Sequence, residues 1–167
     1  MPVIDLKQTT INLNGGGVSQ TVEVKIGEGN LSYTEKRNMD YIRNKGVLDT
    51  VREGDEEPVE VRFDFTWEYL TSATGDTVPT IEEVLKREGL ASAWTSSAAD
   101  VCEPFAVDVE VIYDPSCAGE IVEPIETTTL ADFRWESLEH DMRGGAVAAS
   151  GNCNVTRASI ARTAAGS

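Results

Sequence analysis

The sequence predicts a mainly β domain: an antiparallel β-sandwich or open barrel, with one α-helix at about residues 80–88 packed on it and a long extended arm at about residues 37–58. Three observations lead there. The run Val59 to Leu70, "VEVRFDFTWEYL", places Val59, Val61, Phe63, Phe65 and Trp67 at every second position, with Glu60, Arg62, Asp64, Thr66 and Glu68 between them. Strict alternation of this kind is a strand with one face in a core and one polar face. Several more strand-like runs follow, separated by Gly- and Pro-containing turns, and only one segment has helical spacing with caps at both ends.

In chain order, "QTTINLNGGGVSQTVEVKIGEG" reads as two strands around an "NGGG" reversal, with Val22, Val24 and Ile26 alternating against Glu23 and Lys25. "NLSYTEKR" follows, with Leu31 and Tyr33 on one face. Arg37 to Pro58, "RNMDYIRNKGVLDTVREGDEEP", shows no sustained period but carries Met39, Tyr41, Ile42, Val47, Leu48 and Val51. A disordered linker would not hold so many apolar residues, and a connection this long inside a domain tends to be functional. We read it as an ordered arm that docks either on its own domain or on a neighbour.

After the Val59 strand, "PTIEEVLKREGL" is the helix. Thr80 and Glu83 fit a capping box, Ile81, Val84 and Leu85 form the buried stripe, Lys86 and Arg87 suit the last turn, and Gly89 is the expected stop. "PFAVDVEVIYD" is a second alternating strand, with Phe105, Val107, Val109, Val111 and Tyr113 against Asp108 and Glu110. "EPIETTTLADFRWESL" supplies a third, with Thr127 to Trp135 as its body, and "GGAVAASGNCNVTRAS" a fourth, made of small residues. Residues 160–167, "IARTAAGS", read as a flexible C-terminal tail. The whole chain, 1–167, suits a single domain.

Length and charge narrow the function classes. A chain of 167 residues buries a core without staples. No run approaches the ~20 apolar residues of a membrane-spanning helix, and "MPVIDLKQTT" lacks the layout of a secretory signal, so folding in a cytoplasm and no membrane partner are expected. The formal charge is −15, from 29 acidic and 14 basic residues. That opposes specific nucleic-acid binding, which needs basic side chains to displace counterions.

No catalytic constellation stands out. His140 is the one histidine, between Glu139 and Asp141; half of an acid–base pair is one reading and a solvated surface histidine the favoured one. The chain holds no G-x-S-x-G, P-loop or H-E-x-x-H motif, and "EGDEEP" lacks the ligand order of a calcium loop. We expect no enzyme activity, no cofactor and no metal. Cys102, Cys117 and Cys153 match no zinc pattern. They read as reduced thiols, with a bridge from Cys102 to Cys117, which flank a predicted strand, or across subunits, as the alternative.

Residues Val22 to Trp94, from "VEVKIGEGNLSYTEKRNMDYIRNKGVLDTVREGDEEPVEVRFDFTWEYL" to "PTIEEVLKREGLASAW", resemble the major tail tube proteins of tailed bacteriophages. The segment "LDTVREGDEEP" is the most specific part, and "CEPFAVDVEVIYDPSC" and "GNCNVT" extend the resemblance. That family belongs to the tube proteins shared with contractile injection systems. The resemblance implies a structural virion protein of the viral tail, assembled in the host cytoplasm. It would form homohexameric rings stacked helically into a tube, with an acidic lumen that conducts DNA during genome ejection without binding it specifically. Implied partners are further copies of the chain, a terminator, a tape measure, the baseplate and, in a contractile tail, a sheath. A ring subunit of a related assembly, such as a secretion-system tube, a tail terminator or a baseplate hub, is the alternative.

Under this resemblance the polar faces of the strands supply lumen-lining candidates: Glu23, Glu60, Arg62, Asp64, Glu68, Asp108 and Glu110. Arg62 and Lys25 interrupt the acidic faces, so we expect Arg62 to meet a carboxylate of a neighbouring subunit. Tyr41, Ile42, Val47, Leu48 and Val51 of the arm become candidates for contacts between rings.

Overall fold

The computed structural model describes residues 9–24, 31–68, 77–114 and 125–163. In chain order these form β1 (Thr9–Asn14), β2 (Thr21–Glu23), β3 (Leu31–Thr34), β4 (Met39–Asn44), β5 (Val47–Glu53), β6 (Val59–Thr66), α1 (Ile81–Lys86), a 3-10 turn (Gly89–Ala91), β7 (Val107–Tyr113), β8 (Ile125–Asp141), β9 (Ala146–Cys153) and β10 (Ser159–Thr163). The strands make one antiparallel sheet in the order β2-β1-β7-β8-β9-β6-β3, with β10 paired to β8, and a separate β4-β5 hairpin. The predicted class, mainly β and antiparallel with one short helix, is the one observed.

Strand β8 is the hinge of this architecture. Its first half pairs with β7 on one side and β10 on the other; its second half pairs with β9. Between the halves the register with β7 shifts, and Asp132 adopts φ 56°, a left-handed conformation that non-glycine residues seldom take. Two side chains hold the bulge. Asp108 Oδ1 accepts the Asp132 N–H at 3.0 Å, and Ser97 Oγ donates to Asp132 Oδ1 at 3.0 Å. The sheet therefore changes direction at Asp132, and its two halves close on a shared core.

One half contributes Ile11, Leu13, Val22, Val107, Val109 and Leu130; the other contributes Val59, Val61, Phe63, Phe65, Val147, Ala149 and Cys153. Phe133, at the bend, packs its ring 5.7 Å from Phe63. Strand β6 has the predicted alternation without a fault: Val59, Val61, Phe63 and Phe65 are buried, and Glu60, Arg62, Asp64 and Thr66 are exposed. At the far edge, β3 brings Tyr33 into a half-covered site where burial, Glu35 and Glu126 all raise its phenol above the ordinary value.

The helix buries Ile81, Val84 and Leu85 as the pattern predicts. Its caps differ in detail. Thr80 Oγ1 accepts the Glu83 N–H at 3.3 Å, but the Glu83 carboxylate, only 1% exposed, turns the other way and accepts the Leu90 N–H at 3.3 Å. The helix also stops early. Arg87, not Gly89, takes the left-handed C-cap position, at φ 56°, and Gly89 opens the 3-10 turn at φ 55°. A side chain at Gly89 would put its Cβ 2.9 Å from the Glu83 carboxylate, so the buried acid and the glycine are one packing unit.

The expected extended arm is a regular element: most of residues 37–58 form the β4-β5 hairpin. Two further expectations are corrected. Residues 160–163, expected in a flexible tail, continue β10 and pair with Ile125 to Thr128 of β8. The third predicted strand, Thr127 to Trp135, is part of a 17-residue strand that runs on to Asp141.

Candidate functional site: a polar sheet face and an unpartnered hairpin

The lumen candidates do not form one surface. Glu60, Arg62 and Asp64 lie on the outward face of the β3-β6-β9-β8 half, and Glu68 follows just beyond β6. Glu23 and Glu110 lie on the other half, in one cross-strand row, Glu23–Asn12–Glu110–Thr129. The core separates the two outward faces, so one chain presents either the β6 set or the Glu23–Glu110 set to any single bore. Asp108 is half-buried and holds the β8 bulge, a structural task. Lys25 lies outside the described residues.

The β6 face is the more extensive. Strand β9 runs beside β6 and places Ala148 opposite Asp64, Ser150 opposite Arg62 and Asn152 opposite Glu60. On its other side β8 sets Glu139 against Ala148, Ser137 against Ser150 and Asp141 against Ala146. Small residues on the middle strand between longer ones on both flanks leave a groove of about 550 Å³ along β9, lined by Arg62, Asp64, Ser137, Glu139, Ala148 and Ser150 among others. Glu139 and Asp141 thereby join Glu60 and Asp64 on one acidic face. Sequence reasoning missed them because the predicted strand ended before them.

Cations on this face are partly committed. Lys36 pairs with Glu60 at 3.0 Å, and Arg134 Nη2 pairs with Glu103 at 3.0 Å while its Nε donates to the Pro104 carbonyl. Asn152 donates to Glu136, the bulged residue of β8. Arg62 has no ion pair among the described residues.

The hairpin carries the second half of the candidate site. Its turn, Lys45–Gly46, has φ 54° and 82°, the two positive values of a type I′ reversal. A register shift pairs Ile42 with Thr50 but Arg43 with Leu48, which leaves Asp49 as a bulge. This explains why the sequence looked aperiodic. The extra residue changes the phase of β5, so Leu48 and Val51, three positions apart, share a face with Tyr41, while Ile42 and Val47 occupy the other. Every residue from Asp40 to Glu53 is exposed, and Tyr41, Val47 and Leu48 keep more than 60% of their surface in solvent. The arm therefore does not cover its own core. All five inter-ring candidates are available to a partner.

His140 is not a freely solvated histidine. Its Nε2 lies 3.0 Å from Glu82 Oε1 on α1, and its ring packs 5.0 Å from that of Trp67. Neither flanking acid, Glu139 nor Asp141, is the partner. The pairing ties the helix to the end of β8. Cys102 is an exposed free thiol and Cys153 a fully buried one. The other half of the expected bridge, Cys117, lies outside the described residues. Burial, then the charges of Asp108 and Asp132, pushes the Cys153 thiol up to about 12, so it packs as a neutral apolar group. No helix among the described residues is long and apolar enough to cross a membrane.

No family model matches the sequence, and no curated protein matches it. Among solved structures, a chain of the six-fold symmetrised baseplate of the anti-feeding prophage is similar over 96% of this chain and 96% of that one, at 12% identity and a TM-score of 0.44. A likeness that loose assigns neither family nor role.

Proposed function

We propose that this chain is a structural subunit, not an enzyme, of a viral tail tube, in which hexameric rings stack and the acidic β6-β9-β8 face conducts DNA. The observation that carries the reading is the pairing of a large acidic sheet face with an exposed apolar hairpin on the same small domain. The sequence resemblance to tail tube proteins points the same way. Among the described residues β3 is an edge strand, which adds a reason for closure into a ring, because an open strand edge is an aggregation template unless another chain covers it.

On this reading the bore works by repulsion. Glu60, Asp64, Glu139 and Asp141 face the duplex and keep phosphate from adhering. At ~0.15 M salt their field reaches about 8 Å, enough to matter in a narrow channel. Arg62 meets a carboxylate of the adjacent subunit, since its own chain offers it no ion pair among the described residues. Other tail proteins, including terminator, tape measure and baseplate, cap and measure the tube; DNA passes without sequence-specific contact.

Electron microscopy of the purified chain tests the reading. Long hollow tubes or stacked rings support it, isolated rings favour a terminator or baseplate-hub role, and monomers at every concentration overturn both. Within tubes, reversing Glu60, Asp64 and Glu68 to Lys together is expected to leave assembly intact and slow DNA ejection from virions. Ejection at the wild-type rate would move the bore to another face.

A further inference from the structure

The β4-β5 hairpin presents a charge pattern that its own chain does not satisfy. Its stem is neutralised internally: Arg52 lies 3.8 Å from Asp40, and Arg37 lies 3.8 Å from Glu53. Its distal part, Ile42 to Leu48, carries Arg43 and Lys45 and no acid. Neither cation has an ion pair among the described residues. On a chain of net charge −15, this is a cationic tip on an anionic body.

The foot of the same hairpin is the converse. Asp55, Glu56 and Glu57 follow β5 after Gly54, and none of them has an ion pair among the described residues. Beside them a groove of about 510 Å³ opens between Glu56–Pro58 and Asn154–Arg157. Pro58 and Val155 give it apolar surface, and Glu56 and Glu57 line one side. Its one lining cation is Arg157.

Tip and foot cannot meet within one chain. Six or seven residues of paired strand at about 3.3 Å each put the tip roughly 20 Å from the foot, and a β-ladder does not fold back on itself. A two-stranded hairpin is also marginal in water on its own, and this one exposes apolar side chains on both faces. It needs a cover, and the acidic foot of another copy of the chain has the charge to supply one.

The geometry points to a head-to-tail contact between copies: the Arg43–Lys45 tip of one, with Val47 and Leu48, seats in the Glu56–Glu57–Pro58–Val155 groove of the next. The contact is heterologous, so it propagates rather than closing as a two-fold dimer. It rests on the assembly reading above and specifies the partner surface of the hairpin. Its ionic component makes it salt-sensitive and selects against tip-to-tip pairing.

Charge reversal in the full chain tests it. One variant carries Arg43→Glu and Lys45→Glu, the other Glu56→Lys and Glu57→Lys, with circular dichroism to verify that each folds. Each alone is expected to associate at least tenfold more weakly than the wild type by sedimentation at ~0.15 M salt, because tip and foot then carry the same sign. Mixed in equal amounts, the two are expected to recover association, since each tip again meets an opposite foot. Unchanged association of either variant, or no recovery on mixing, overturns the contact while leaving wild-type tubes, and with them the tube reading, in place. A wild-type chain that stays monomeric, including one that binds only a different tail protein, overturns both.

Discussion

His140 Nε2 and Glu82 Oε1 stand 3.0 Å apart, linking the end of the longest strand to the only α-helix among the described residues. Lys86 Nζ donates to the same oxygen at 2.7 Å, and Trp67 backs the imidazole. One carboxylate thus gathers a cation from its own helix and a histidine from the sheet.

This clamp makes helix docking depend on pH. Burial alone would raise Glu82, but the hydrogen bonds from Lys86 and His140, with their charges, outweigh it and hold the acid below its ordinary value. A carboxyl depressed in the folded state contributes stability above its unfolded value and loses it as pH falls through the folded one. The melting temperature of Glu82→Gln should therefore lie below that of the wild type at pH 6. The gap should shrink as pH drops from about 5 through the carboxylate range near 4 and below. A gap that stayed constant to pH 2 would show that the carboxylate charge does not hold the helix.

Gly151 has no room for a side chain. A Cβ there would lie 2.0 Å from the Arg134 carbonyl oxygen, at the place where β8 bulges past Trp135. Backbone cannot swing aside as a flexible side chain can. Gly151→Ala is expected to destabilise the domain by about 3 kcal/mol or more, read from chemical denaturation. A loss under about 0.5 kcal/mol, the range of ordinary surface changes, would mean that the two strands are not held this closely.

The cysteines should react unequally. With its thiol held neutral up to about 12 and its surface fully covered, Cys153 is expected to resist iodoacetamide at pH 8 in the folded protein, whereas exposed Cys102 is alkylated. Peptide mapping by mass spectrometry checks both sites, and labelling of Cys153 without denaturant would contradict its burial.

Replacing Leu48 and Val51 by Asp should separate folding from assembly. Both are exposed on a hairpin that takes no part in the core, so the melting temperature of the isolated subunit should change little, within about 0.5 kcal/mol of stability. Stacking should fail, because the substitution puts unpaired charge into an apolar contact. Tubes of normal length from this variant would remove the hairpin from the interface.

Legibility in the sequence followed how local each signal is. β6 was readable because its alternation runs unbroken and both faces keep one character. The helix was readable from Thr80 and its apolar stripe, yet its end was misplaced by two residues because Arg87 accepts a left-handed backbone that Gly89 seemed better suited to supply. The hairpin was missed for a comparable reason. Lys45–Gly46 is a two-residue reversal, but the bulge at Asp49 breaks the two-residue period that would have announced the second strand. The segment 160–163 looked too small and plain to be ordered, and its pairing partner, Ile125 to Thr128, lies more than thirty residues away.

By itself, then, the sequence determined the β class, the core side of β6, the helix and the acidity, since these depend on spacing between near neighbours and on composition. Tertiary structure decided which charged residues share a face. Glu60 and Asp64 join Glu139 and Asp141 through β9, while Glu23 and Glu110 are turned to the far side of the core. That division is set by the bend at Asp132 and by strand order, which bring together residues far apart in the chain and leave no period for a reader of the sequence to find.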